Sequence, residues 1–146
     1  MRLSRRIAIF AAISVLASCS DSSGPPSTAT FYRLDSVNGR PLPTFFSPIP
    51  EAPTIIAGGV FLDGKGHATV TERRHETTGA DLTYTTNYKY TIADSRIEFE
   101  PDTPCPANAF CPASPTGVFL SRHLFLDLSN GNGDVIYDYL QGALVD

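Results

Sequence analysis

The constraint that most limits how this chain can fold is a run of twelve residues, Leu82 to Ala93, in which side-chain character switches at nearly every step. Leu82, Tyr84, Thr86, Tyr88, Tyr90 and Ile92 fall on one side, and Thr83, Thr85, Asn87, Lys89 and Thr91 on the other. A helix returns a side chain to the same face every 3.6 residues, so this pattern would scatter apolar groups around a helical cylinder. A pleated strand gathers them on one face, and tyrosine and threonine suit such a half-buried surface. Shorter runs continue the theme: Ile97 with Phe99, Val118 with Leu120, Leu124 with Leu126 and Leu128, and Val135 with Tyr137 and Tyr139.

Turn chemistry separates the runs at Asn38-Gly39, Gly64-Lys65-Gly66, Thr78-Gly79-Ala80-Asp81, Asp94-Ser95 and Asn130-Gly131-Asn132-Gly133. Asn-Gly favours the positive φ angles of tight hairpins. The pattern predicts an all-β chain of about eight strands, near 31–37, 54–63, 67–77, 82–93, 95–100, 116–121, 123–129 and 134–141. No stretch after residue 18 sustains a helical period. Short connections imply an up-and-down antiparallel meander, either closed as a barrel or left as a strongly curved sheet. Closure removes the two edges that an open meander exposes to aggregation. Two longer connections interrupt the rhythm, 38–53 and 101–115, with five prolines each.

The start of the chain reads differently. Met1-Arg2-Leu3-Ser4-Arg5-Arg6 is basic, and Ile7 to Leu16 is apolar except for Ser14. This order of a charged and an apolar region is that of a secretory signal. Ten helical residues rise about 15 Å, half the thickness of a bilayer's hydrocarbon core, too little for a spanning helix. The next residues, Leu16-Ala17-Ser18-Cys19, resemble the lipobox of bacterial lipoproteins. That resemblance implies cleavage before Cys19, a diacylglycerol thioether on its sulfur and acylation of the new amino terminus. Two or three acyl chains anchor a protein stably, where one does not. Ser20 in place of aspartate implies the outer membrane. Residues 1–18 are therefore expected to be a signal peptide, 19–30 a lipidated cysteine with a small, polar, proline-bearing tether, and 31–146 one domain.

Removing 18 residues from the 146 leaves 128, enough for a single core. The expected mature chain has eight basic and fifteen acidic residues, so seven net negative charges. Such a chain lacks the clustered basic face that nucleic acid or anionic lipid requires. With Cys19 assigned to lipid, Cys105 and Cys111 remain. Two thiols this close, outside the cytoplasm, are expected to form a disulfide. Closing so short a loop would stabilise by about 2 kcal/mol in the chain-entropy treatment.

The opening of the domain, Phe31-Tyr32-Arg33-Leu34-Asp35-Ser36-Val37-Asn38-Gly39-Arg40-Pro41-Leu42-Pro43, resembles the first hairpin of small bacterial lipocalin-like lipoproteins. Their pattern continues in Gly59-Val60-Phe61-Leu62-Asp63-Gly64-Lys65-Gly66 and in Val135–Leu140. The resemblance implies a lipocalin-like barrel or curved sheet and little about activity. True lipocalins carry a Gly-x-Trp near the first strand, and this chain has no tryptophan.

No catalytic constellation emerges. His67 and His75 share a strand face but stand about 27 Å apart at ~3.4 Å per residue, too far to share a metal. No Gly-x-Ser-x-Gly elbow accompanies the serines. Glu72, Glu76, Glu98 and Glu100 read as solvated strand faces pairing with Arg73, Arg74 and Arg96. Asn130–Asp134 lacks the carboxylates of a calcium loop. The expectation is a non-enzyme with neither cofactor nor metal. The tyrosine face offers the one candidate site: Tyr84, Tyr88, Tyr90, Tyr137 and Tyr139 would point into a closed barrel and line a pocket for a small apolar or amphipathic ligand. Alternatively the rings fill the core, and the protein is a structural or interaction module that presents its two proline loops to an envelope partner.

Overall fold

The computed structural model describes residues 28–45, 52–104, 114–128 and 135–142. Cys19, Cys105 and Cys111, the signal segment and the Asn130–Asp134 turn lie outside these residues. Every regular element described is a strand: β1 (Thr30–Val37), β2 (Arg40–Pro41), β3 (Thr44–Phe45), β4 (Thr54–Leu62), β5 (His67–His75), β6 (Asp81–Ala93), β7 (Arg96–Pro101), β8 (Thr116–Leu120), β9 (His123–Asp127) and β10 (Ile136–Gln141).

The eight longer strands form an antiparallel meander, β4 through β10 each beside its neighbour in sequence, with β10 against β1. β1 then pairs back onto β4, Thr30 to Arg33 against Leu62 to Gly59, and the barrel closes. A strongly curved open sheet is thereby excluded. Closure gives the ladder groups of Thr30–Arg33 and Gly59–Leu62 partners and removes the edges over that length. β2 and β3 are additions to the expected pattern, two-residue strands inside a stretch read from sequence as a loop. β2 pairs with the end of β1 and β3 with the start of β4. The Asn38-Gly39 turn between β1 and β2 takes positive φ at both residues, the geometry predicted from the dipeptide.

Inward residues of all eight strands build one core. Leu34, Ile55, Val60, Leu62, Ile97, Leu124, Leu126, Tyr137 and Tyr139 are among its most deeply buried side chains. Gly117 on β8 belongs to it as well: a Cβ there would stand 2.4 Å from the Phe125 carbonyl oxygen and 2.6 Å from a Leu126 methyl. Any side chain at that position collides with the neighbouring strand.

The barrel has two unlike ends. One carries Thr30 and the short turns at 63–66, 94–95 and 121–122. At the other, β1, β5, β7 and β9 finish and β4, β6, β8 and β10 begin, so both proline-rich connections leave from that rim.

Candidate functional site

The rim with the longer connections is where polar chemistry enters the interior. The inward face of β5 begins as Ala68 and Val70 and continues, by the same two-residue period, as Glu72 and Arg74. Across the ladders Glu72 stands opposite Gly58 of β4 and Tyr84 of β6, and Arg74 stands between Ile55 and Leu82. Tyr137, from the far wall, donates its hydroxyl to Glu72 Oε2 at 2.7 Å. Arg74 Nε donates to the other carboxylate oxygen of Glu72. The Arg74 guanidinium lies 4.9 Å over the Tyr84 ring, and Tyr84 donates to Glu76 Oε1 at 2.9 Å. The Glu72 side chain is only 12% exposed, so this is a partly desolvated ion pair carried inside a barrel wall.

The electrostatics follow from that burial. Burial first, and then the negative charge of Glu72 with the hydrogen bond it accepts, push the Tyr137 hydroxyl far above its ordinary range. Tyr139 is raised by burial and then by the charge of Glu72. Burial works against the charge of Arg74, and Glu72 outweighs it, so the guanidinium sits above its ordinary value.

The five tyrosines expected to line a pocket separate into two groups. Tyr88, Tyr90, Tyr137 and Tyr139 are buried members of the core. Tyr88 and Tyr90 pack on Phe99, and Tyr137 stacks on Tyr139 with ring centroids 6.1 Å apart. Tyr84 departs from the expectation: it shares their strand face and is 44% exposed. The reason is strand length. β7 ends at Pro101 opposite Tyr88, so residues 81–87 of β6 run past it as an overhang flanked by β5. Leu82, 46% exposed, shares the overhang.

Glu72 and Arg74 correct the expectation of a solvated strand face. The signal was present, because Ala68 and Val70 set the inward parity that both residues inherit. Their charge concealed it. His67 and His75 are exposed, and His75 Nδ1 meets Asp81 Oδ1 at 2.8 Å, with Arg73 donating to Oδ2 at 2.6 Å. His123 Nδ1 meets Asp138 Oδ1 at 2.7 Å and stacks on Phe125. Among the described residues no three His, Cys, Asp or Glu side chains gather as a metal site.

A second concavity lies in the wall. Past Arg33 and Gly59 the β1–β4 ladder stops, and a cleft of about 360 Å³ opens between the two strands beneath β2. No family model matches the chain, and no curated protein or solved structure matches it either.

Proposed function

We propose that the chain is an exported, non-enzymatic lipoprotein with a lipocalin-like barrel that binds a small amphipathic ligand at its mouth rather than in its interior. The observation that carries this reading is the overhang of β5 and β6. It presents Leu82 and the Tyr84 ring, both more than two-fifths exposed, directly beside the Glu72–Arg74 pair. An apolar shelf next to fixed charges is what a ligand with an apolar body and a polar head requires. The four remaining tyrosines are occupied by core packing and leave the shelf as the available surface.

The anchor in this reading rests on the lipobox residues Leu16 to Cys19. It has a geometric consequence. The chain enters β1 at Thr30, on the end opposite the mouth, so the tether to Cys19 would join the barrel away from the proposed site. Substituting Cys19→Ala is expected to abolish acyl labelling and release the protein from membranes. Retained attachment would refute the anchor while leaving the binding site untouched.

Native mass spectrometry of the mature protein, extracted in mild detergent, tests the ligand. An adduct that disappears in Leu82→Ala and Tyr84→Ala variants of unchanged circular dichroism supports the mouth as the site. A clean apo mass that envelope lipid extract does not change would refute it. One observation favours the alternative of an interaction module: Phe45 at the rim, 61% exposed. Photo-crosslinking from position 45 in intact cells would then trap a protein partner.

A further inference from the structure

We propose a second, independent binding site in the barrel wall: the cleft between β1 and β4, taking a zwitterionic small molecule with an apolar side chain, of the chemical class of a free apolar α-amino acid. Its origin lies in two irregularities of the ladders. β1 slips register against β10 between Leu34 and Ser36, and β4 slips against β5 between Ile55 and Ala57. The extra residues are Asp35 and Ile56, and both line the same cleft. A bulge adds local twist and bends its strand, and two bulges on adjoining strands part the wall between them.

The size of the gap selects the occupant. At Arg33 and Gly59 the strands are directly paired, hence about 4.8 Å apart. At the rim, β2 beside β1 and β3 beside β4 run in opposite directions between them, which requires about three spacings, or ~14 Å. The cleft is therefore a wedge. An added β-strand needs two full spacings along its length, which exist only where residues 40–45 already lie. A compact ligand fits the remaining volume of about 360 Å³.

The lining specifies its chemistry. Leu42, Ile56 and Ala57 supply apolar surface, and Arg33 and Asp35 stand exposed at the lip. Two residues apart on one extended strand, their Cα atoms are about 6–7 Å from each other. Among the described residues neither has an ion-pair partner, in contrast to the outward pairs Arg73–Asp81 and His123–Asp138. One unpartnered cation and one unpartnered anion, held beside an apolar wedge, match a carboxylate, an ammonium group and an apolar side chain on one small molecule.

The full-length chain, processed in host membranes and purified in mild detergent, is titrated with L-leucine by calorimetry. Saturable binding is expected, about tenfold weaker in Arg33→Gln and in Asp35→Asn, each loss being that of one charge-assisted hydrogen bond. Both positions are exposed, so the variants keep the barrel. N-acetyl-leucine and isoamylamine, each retaining one of the two charges, should also bind about tenfold more weakly. Ala57→Trp should fill the wedge and abolish binding, while Tyr84→Ala, at the mouth, should leave it unchanged. Absence of saturable leucine binding, or an affinity in the two charge variants unchanged from that of the unsubstituted protein, would overturn the proposal. So would a loss of leucine binding in Tyr84→Ala, which would move the ligand to the mouth.

Discussion

Alkali should unfold this barrel through its own tyrosines. Tyr137 and Tyr139 are each 1% exposed, and burial with the charge of Glu72 raises both hydroxyls far above the ordinary phenol range. An unfolded tyrosine ionises near pH 10. Below that pH both states keep their protons, and the contribution to stability is fully present. Above it the unfolded chain releases protons that the folded barrel retains, so stability falls as pH rises. Each tyrosine held neutral costs about 1.4 kcal/mol per pH unit, so the pair costs about 2.7 per unit and roughly 5 kcal/mol by pH 12. That equals a large share of a small domain's total stability of about 5–15 kcal/mol. Tyr32 and Tyr88, raised chiefly by burial, act in the same direction. The assay is a paired titration of tyrosinate absorbance and far-ultraviolet circular dichroism. The absence of tryptophan leaves the near-ultraviolet spectrum to tyrosine. The two signals should change together and cooperatively above pH 10, and Tyr139→Phe should reduce the dependence by about 1.4 kcal/mol per pH unit. A smooth titration of all six tyrosines near pH 10, with the β signal intact, would refute the reasoning.

Replacing Gly117 by alanine should destabilise by about 1–3 kcal/mol in urea unfolding, because the new Cβ would meet a backbone oxygen at 2.4 Å. Gly79→Ala, where a Cβ meets nothing but φ is +86°, should cost only about 1 kcal/mol. A double-mutant cycle on Glu72 and Arg74 should give a coupling of about 1–2 kcal/mol, larger than that of the exposed pair Arg73–Asp81. The Asp81 carboxyl, held below the ordinary carboxylate range by hydrogen bonds from His75 and then Arg73, should return toward that range in His75→Ala, as read by carbon NMR titration.

Much of this architecture was readable because a strand's face is a local property. Alternation from Leu82 to Ile92 placed Tyr88 and Tyr90 inward whatever the rest of the chain did, and turn residues located the eight long strands to within two or three residues. The overhang was also within reach. A twelve-residue run followed by a six-residue one cannot be covered along its whole length, so Tyr84, at the far end of the hairpin, was destined for the rim. Glu72 and Arg74 went unrecognised because charge argues for solvent. The interior accepted them only where Tyr137 arrives from β10, sixty-five residues along the chain.

Local pattern by itself determined the fold class, the strand positions and the parity of each side chain, since backbone geometry within a strand sets all three. Tertiary structure alone decided that β1 meets β4, that Tyr88, Tyr90, Tyr137 and Tyr139 are buried while Tyr84 is not, and that the wall opens at Asp35 and Ile56. Those outcomes depend on which distant strands become neighbours and on how unequal lengths and bulges are absorbed when a sheet closes on itself. No residue carries that information in its immediate sequence.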